Sequence, residues 1–292
     1  MTNKIKLEFP TIFDSADNAS SAAQKEYIFL IKLQLFFLLL STIFSVFIGF
    51  YRGLLIFVGI SMLGSLFVTI LLRIRKKERV WFDGRALAES IKTLCWRYIM
   101  GAEPFKITLS EEEANRLFIE SIKNVLQERK NLSSVLVSSS KNQGYITKSM
   151  KDIRKLNFSQ RLEVYLQYRV QNQQDWYSDR SEYNRKRESF LFIVSFLFQF
   201  LSIIYILVLV NQNWTINITG ILSALATVTI TWLQVKRHQE LAQAYGLAAQ
   251  ELTSIYSMSF EVKSADSLSE YVNESENAIS REHTLWVARR GQ

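Results

Sequence analysis

Two long apolar segments near the N-terminus, joined by a very short connection, constrain the fold of this chain more than any other feature. Residues 33–51 and 53–72 are each close to the ~20 residues needed to cross ~30 Å of hydrocarbon. The connection around residues 49–53 is too short to hold a domain, so both segments return to the same face of a bilayer. The sequence therefore predicts a membrane hairpin.

Basic residues mark the two ends of this hairpin differently. The second segment is followed at once by a basic cluster, whereas the tip of the hairpin carries only Arg52. Positive charge flanking membrane spans is retained on the cytoplasmic side, so the open end of the hairpin is predicted to be cytoplasmic and its tip external. The cluster consists of Arg73, Arg75, Lys76, Lys77 and Arg79.

A second pair of apolar segments repeats this plan later in the chain, at residues 190–210 and 215–233. Residues 185–187 are basic and precede the third segment, and Lys236 and Arg237 follow the fourth. Four spans with this charge pattern place both termini in the cytosol. The net charge of +8 is then better explained by orientation and by anionic lipid than by nucleic-acid binding.

The chain between the apolar segments is predicted to be almost entirely helical. It contains two prolines and ten glycines, and no strand-like alternation lasts long enough to indicate a sheet. The fold class expected is an all-α membrane protein with four transmembrane helices as two hairpins, whose long helices extend into a cytoplasmic helical bundle. The helix of the second span is expected to continue unbroken until Pro104 stops it, and the helix of the fourth span to run on in the same way.

Three segments are predicted from the composition. Residues 1–137 form a first half and residues 151–292 a second half, with a Ser-rich linker at 138–150. An uninterrupted helix is expected from residue 157 to residue 210, because no breaker interrupts it. The motif LAESIKTL at Leu87 is weakly echoed by AAQELTSI at Ala248, so both halves follow one plan.

Two helical stretches outside the spans carry tryptophan and charge on one face. Glu89 is spaced to pair with Arg85 or Lys92 on the same helix, and it is one hypothetical partner for Arg169. The cluster forms either a structural ion-pair contact between helices or a site for an anionic ligand. Its members are Trp81, Arg85, Glu89, Lys92, Trp96, Arg161, Tyr165, Arg169 and Trp176.

The sequence gives no indication of catalysis or of a bound cofactor. There is no glycine-rich phosphate loop and no nucleophile motif, so no enzyme activity is expected. Cys95 is the only cysteine, which excludes an intrachain disulfide and a cysteine metal cluster. His238 and His283 stand in no metal-ligand spacing, so neither a metal nor a cofactor is predicted.

The four spans contain no Asp, Glu, Lys or Arg, but they carry hydroxyl and amide side chains. Ser41, Ser45, Gln199 and Ser202 are candidates to line a narrow, weakly polar pore. The alternative is that the small and polar residues serve only helix packing. One protomer with four spans cannot enclose a wide path, so a pore requires a homo-oligomer.

Several motifs of this chain resemble the SLATT domains, the two-transmembrane effector domains associated with SMODS-type nucleotidyltransferases and SLOG sensors in prokaryotes. Two different SLATT types in tandem would cover nearly the whole chain. The motifs that carry the resemblance are WFDGRALAESIKTLCWRYIMGAEPF, QGYITKSMKDIR, RLEVYLQYRVQNQQDWYSDRSEYN and the terminal SREHTLWVARR.

The resemblance implies an effector of bacterial conflict or anti-phage systems that forms a pore and depolarises the membrane when a partner reports nucleotide signalling. We therefore expect a multi-pass protein of the bacterial inner membrane, activated by a nucleotide second messenger or by a separate sensor protein. The alternative is a non-conducting membrane scaffold that docks a cytosolic partner through its helical bundle.

Overall fold

The computed structural model describes residues 7–132, 136, 144–211 and 216–288, with the side chains of 131, 211 and 281–288 left aside. Every regular element in this part of the chain is helical. Residues 138–143 of the predicted linker and residues 212–215, between the third and fourth predicted spans, lie outside the described residues. The α-helices are α1 (Thr11–Val46), α2 (Leu54–Arg75), α3 (Lys77–Met100), α4 (Glu111–Glu128), α5 (Lys148–Arg154), α6 (Phe158–Tyr165), α7 (Asn172–Asn211), α8 (Thr219–Lys236), α9 (His238–Met258) and α10 (Ala265–Ala288).

Helix α1 runs without a break from the residue after Pro10 to Val46, inside the first apolar segment. Proline is tolerated immediately before a helix because its missing N–H would have no intrahelical partner there. A turn over residues 47–53 connects α1 to α2, as the glycines of the hairpin tip predict. At Gly64 an added Cβ would lie 2.9 Å from the ring of Phe37, so glycine is what permits this close packing of α1 on α2.

The prediction that the helices of the second and fourth spans continue unbroken is wrong. Lys76 separates α2 from α3 with φ of 44°, and Arg237 separates α8 from α9 with φ of 50°. Left-handed backbone ends the intrahelical hydrogen-bond ladder. Both residues are ordinary basic residues rather than glycine or proline, so no breaker was visible in the sequence.

The long helix predicted for the second half is confirmed, with one local change. Residues Phe158–Val210 form a continuous helical stretch of 53 residues, but Leu166–Gln171 is wound as a π-helix between α6 and α7. Asn157 starts α6 with a capping box in which its side chain accepts from the Gln160 N–H. A capping box formed by Ser110 and Glu113 likewise starts α4.

Three stretches of helix are long and apolar enough to cross a membrane by length and composition: Thr11–Val46, Leu54–Met100 and Phe158–Val210. They contain the first three predicted spans. The fourth predicted span corresponds to α8, an 18-residue helix that does not meet the same criterion. The structure thus supports an all-helical protein with long apolar helices.

The chain divides into two compact units, each drawn from both halves of the sequence. The first, which we call the polar unit, comprises residues 1–24, 78–178 and 244–292. The second, the apolar unit, comprises residues 25–77 and 179–243. Because the N-terminal segment and α3 share the polar unit with α9 and α10, each unit requires both halves of the chain.

The polar unit has one hydrophobic core centred on α3. Leu87 and Ile91 on one face of α3 are fully buried, and Trp96 on the opposite face is 1% exposed. Phe118 of α4 packs against the ring of Tyr98 at 4.9 Å. Both faces of α3 are therefore buried in the core of this unit.

The apolar unit exposes large hydrophobic side chains along its helices, Phe57, Phe67, Phe192 and Ile203 among them. Its polar side chains pair within each hairpin. Gln34 of α1 donates to the Thr69 hydroxyl of α2 at 2.9 Å. An apolar exterior with internally paired polar groups is the arrangement that a hydrocarbon environment favours.

Candidate functional site

A buried carboxylate, Glu276 of α10, is the centre of a polar network inside the core of the polar unit. Arg169 donates to it twice, through Nε to Oε1 at 2.8 Å and Nη2 to Oε2 at 2.7 Å. The Tyr165 hydroxyl donates to Oε1 at 3.0 Å, and the Thr93 hydroxyl donates to Oε2 at 2.8 Å. The side chains of Arg169 and Glu276 are 1% and 0% exposed, so four hydrogen bonds join α3, the helix of Tyr165 and α10 without access of solvent.

Local backbone geometry brings Tyr165 and Arg169 to the same carboxylate. Tyr165 is the last residue of α6, and Arg169 lies in the π-helical turn that follows. Wider winding changes the angular spacing of side chains relative to an α-helix, and single π turns are frequent at functional sites. Here the π turn lies at the point where a guanidinium and a phenol converge on one acceptor.

The electrostatics of the network follow from its burial. Burial alone would lower the pKa of Arg169, but the attraction of Glu276 outweighs it and raises that pKa. Burial and the charge of Glu276 raise the pKa of Tyr165 well above its ordinary range. Arg169 is therefore a permanent cation and Tyr165 a neutral donor, as a bidentate charge-assisted contact requires.

Three cations and three carboxylates lie in and around this network, namely Lys92, Arg85 and Arg169 with Glu89, Glu276 and Asp17. Burial, followed by repulsion from Arg169, lowers the pKa of Lys92, while Glu89 opposes that shift. Arg85 forms an ion pair with Glu89 at 2.9 Å and lies 3.8 Å from Asp17. Nη1 of Arg169 and Nε1 of Trp96 are buried donors that make no hydrogen bond with any described group.

The carboxylate that binds Arg169 differs from the one suggested by sequence. Glu89 was the hypothetical partner, but Glu276 makes the direct contact, while Glu89 pairs with Arg85 and acts on Arg169 through its charge. Glu276 was missed because α10 was judged only by its apolar residues. It lies on the same stripe as the buried Leu268, Val272 and Ile279, and a carboxylate on an apolar stripe indicates a buried partner.

Arg161, another member of the predicted cluster, is placed elsewhere, at the C-terminal end of α3. Its Nη1 donates to the Met100 carbonyl. Arg154 donates to the carbonyls of Tyr98 and Phe105 from the same end. Guanidinium groups at a helix C-terminus satisfy its free carbonyls and its negative dipole end, so these two arginines have a structural function.

The three tryptophans of the predicted cluster are also separated. Trp96 lies beside the network, with its ring 5.6 Å from that of Tyr165. Trp176 instead packs on Tyr245 of α9 at 5.2 Å. The backbone carbonyl of Trp81 accepts a hydrogen bond from Ser20 of α1 at 2.9 Å, so only Trp96 belongs to the Glu276 network.

The four candidate pore-lining residues occupy different environments in the apolar unit. Ser202 is 8% exposed and lies 3.3 Å from the Ser223 hydroxyl of α8. Gln199 is exposed on α7, although its amide donates to Ser195 at 3.1 Å. Ser45 is exposed near the end of α1, and Ser41 is half-buried. Their assignment to a pore stays a prediction.

Two family models match the chain, one after the other. Residues 10–162 match the model described as SMODS and SLOG-associating 2TM effector domain 3, and residues 165–286 match SMODS and SLOG-associating 2TM effector domain 1. The first match covers more than half of the chain. Neither a curated protein nor a solved structure gives a significant match. Arg169, Tyr165 and Glu276 lie in the second match, and Thr93 lies in the first.

Proposed function

This chain belongs to the SLATT family, with two SLATT domains in tandem, and on that premise we propose that it is an oligomeric, pore-forming membrane effector of a prokaryotic conflict or anti-phage system. It has no catalytic activity in this proposal. Opening of the pore depolarises the bacterial inner membrane and kills the cell. The family description of an effector domain with two transmembrane segments supports the membrane part of this proposal.

The proposed topology has four spans in two hairpins, with both termini in the cytosol. Basic residues support it, because they concentrate at the ends of α2 and α8 while the first hairpin tip carries only Arg52. Cys95 is fully buried, and burial raises the pKa of its thiol, so it gives little background in thiol labelling. A thiol introduced by Arg52→Cys should react with a membrane-impermeant maleimide added outside intact cells. Labelling only after the cells are opened would contradict this topology.

One observation favours an assembled pore over a solitary four-helix unit. Gln199 is exposed on α7 among large apolar side chains, including Phe196 and Phe200. Its amide nitrogen donates to Ser195 of the same helix, but the amide oxygen has no partner among the described residues. An amide oxygen facing hydrocarbon is costly unless another helix or water satisfies it, so a second protomer or an aqueous path is the expected neighbour of Gln199.

Gln199→Leu tests this point in liposomes that contain the purified protein. If Gln199 lines the pore, ion or dye flux should fall strongly, while the oligomeric size in detergent should not change. Gln34→Leu is the matched control, because Gln34 is half-buried and donates to Thr69 on the other helix of its own hairpin, whereas Gln199 is exposed. Equal flux from the Gln199→Leu variant and the unaltered protein would show that Gln199 does not line the pore.

The non-conducting scaffold is the alternative function. It is favoured by the polar unit, whose buried network joins α3 and α10 and gives a partner a fixed helical surface. A scaffold should tolerate Gln199→Leu and lose activity only through changes in the polar unit. Absence of flux with nucleotide messengers and partner present would support this alternative.

The trigger in this proposal is a nucleotide second messenger or a separate sensor protein that acts on the polar unit. Lys92, which forms no ion pair with any carboxylate of the described residues, supports an anionic messenger. Titration calorimetry with cyclic nucleotides tests this, with Lys92→Gln as the variant that should bind more weakly. Binding that is insensitive to Lys92→Gln would place the messenger elsewhere.

A further inference from the structure

Most large apolar side chains of the polar unit are buried, but one helix exposes several of them. Among the described residues of this unit, Leu247 and Met258 of α9 are 67% and 54% exposed, and Phe260, in the 3₁₀ turn that follows, is 76% exposed. Leu247, Ser254 and Met258 are separated by seven and then four residues, so they share one side of α9. We call these three residues the α9 face. Exposed apolar side chains grouped on one side of a helix indicate a surface that binds another protein.

The third helix of each half occupies an equivalent place, and this equivalence shows what should cover the α9 face. α3 begins at residue 77 and α9 at residue 238, an offset of 161 (238 minus 77). At the same offset, the Ser20 hydroxyl of α1 donates to the Trp81 carbonyl of α3 at 2.9 Å, and the Ser181 hydroxyl of α7 donates to the Ala242 carbonyl of α9 at 2.7 Å. One hydrogen bond is thus repeated between the first and third helices of each half. Residues 161 apart therefore have equivalent positions on α3 and α9.

On α3, the side equivalent to the α9 face is covered within the chain. Its three residues are Ala86, Thr93 and Arg97, each 161 residues before its counterpart on the α9 face. Thr93 donates to Glu276 of α10 at 2.8 Å, and Arg97 donates through Nη2 to Asn277 of α10 at 2.7 Å. Ala86 is 3% exposed. The helix that contacts this side of α3 thus comes from the half that follows the half of α3.

The α9 face differs from its counterpart in chemistry as well as in exposure. Leucine stands at the position equivalent to Ala86, and methionine stands at the position equivalent to Arg97. These larger, uncharged side chains suit burial against a neighbour, because their apolar area leaves water without a charge that must be paired. Ser254 lies between them and donates to the Gln250 carbonyl of its own helix at 3.4 Å, so its hydroxyl needs no acceptor on that neighbour.

We propose that the α9 face is a contact surface for a second copy of this chain. Within the chain, each α3 is covered by the half that comes next. In an oligomer of the proposed kind, the half that comes next after the second half of one copy is the first half of another, so the second copy supplies the cover that the described residues do not give α9. Head-to-tail contacts of this kind close into rings when the rotation allows it. The surface rests on the oligomer of the proposed function but not on conduction.

Photo-crosslinking of the purified full-length protein in detergent tests this contact. Ser254→Cys places a thiol in the middle of the α9 face for attachment of benzophenone maleimide, while Cys95 is fully buried and gives little background. Illumination should give covalent dimers. Ser159→Cys is the matched control, because Ser159 is an exposed serine of α6 outside the α9 face, and its dimer yield should be several-fold lower.

Charge on the α9 face should abolish the contact. In the labelled Ser254→Cys protein, Leu247→Glu with Met258→Glu should raise the dissociation constant of the dimer about 100-fold, since burying each apolar side chain contributes about tenfold. Leu247→Met with Met258→Leu keeps both side chains apolar and should preserve the dimers. At a dilution where the unaltered protein is a monomer, the charged variant should melt at the same temperature, because both side chains are mostly exposed in one protomer.

Equal dimer yields from labelled Ser254→Cys and Ser159→Cys, or dimers that persist in the charged variant, would overturn the proposal. Crosslinks confined to one chain, or a lower melting temperature of the diluted charged variant, would also overturn it, because either would show that the α9 face packs within its own protomer. The pore is tested separately. Crosslinked dimers without flux from liposomes would contradict pore formation and leave this contact intact, whereas flux without crosslinked dimers would do the reverse.

Discussion

Glu276→Gln is the substitution that tests the buried network most directly. The carboxylate accepts two hydrogen bonds from Arg169 and one each from Tyr165 and Thr93. The amide removes the negative charge and turns one acceptor into a donor that faces the guanidinium. A buried, uncompensated Arg169 results, and breaking a buried pair in this way costs about 3–5 kcal/mol.

The expected change is large enough for a melting experiment in detergent. The entropy of unfolding is about 2.1 cal/mol/K per residue, so in a chain of 292 residues about 1 kcal/mol shifts the melting temperature by about 1.6 °C. Glu276→Gln should therefore lower the midpoint by about 5–8 °C. Cys95 gives a second measurement, because it is fully buried in the same core and the charge of Glu276 contributes to its raised pKa. Its thiol should react with maleimide faster in the variant.

Two controls distinguish the effect of breaking a buried ion pair from the effect of removing a negative charge in general. Glu26→Gln removes a carboxylate from a half-exposed pair with Arg75 and should cost at most about 1 kcal/mol. The double variant Arg169→Met with Glu276→Leu leaves no unpaired charge and should recover most of the lost stability. A melting temperature of Glu276→Gln no lower than that of Glu26→Gln would refute the reasoning.

Two further predictions concern the end of α8. Burial, followed by repulsion from Lys236 and Arg187, lowers the pKa of His238 below its ordinary 6.5. Below about pH 6.5 the unfolded chain takes up a proton that the folded chain does not, so stability should fall as the pH drops. The melting temperature of His238→Asn should depend less on pH. Arg237→Gly should raise the melting temperature, because its φ of 50° suits glycine, whereas Gln234→Gly inside α8 should cost up to about 1 kcal/mol.

Sequence reasoning predicted where the helices lie better than it predicted which residues contact each other. Apolar segments of spanning length and the absence of a helix breaker between residues 157 and 210 are local patterns, so the helices that they form could be located. The breaks at Lys76 and Arg237 could not, because lysine and arginine are ordinary helix residues and the left-handed turn is set by packing on either side. Glu276 was missed for a related reason, since its partners lie more than 100 residues away.

The sequence also did not indicate which residues make up the polar unit and the apolar unit. Composition favours a division into two successive halves, but the polar unit joins the first 24 residues to α3, α6 and α10. The decisive contact is again long-range, because Thr93 of the first half and Arg169 of the second bind one carboxylate. Local periodicity shows which face of a helix is buried without showing against which helix it is buried.

The two halves repeat their backbone but not their polar chemistry. Arg237 follows Lys76 by 161 residues (237 minus 76), and Ala248 follows Leu87 by the same offset (248 minus 87), so the left-handed breaks align with the echoed motif. At this offset Thr93, which binds Glu276, corresponds to Ser254, which donates to its own helix at Gln250. Among the described residues, the charged network is therefore built once. An oligomer of the proposed kind would alternate two unlike hairpins around its axis, with one buried network for every pair of hairpins.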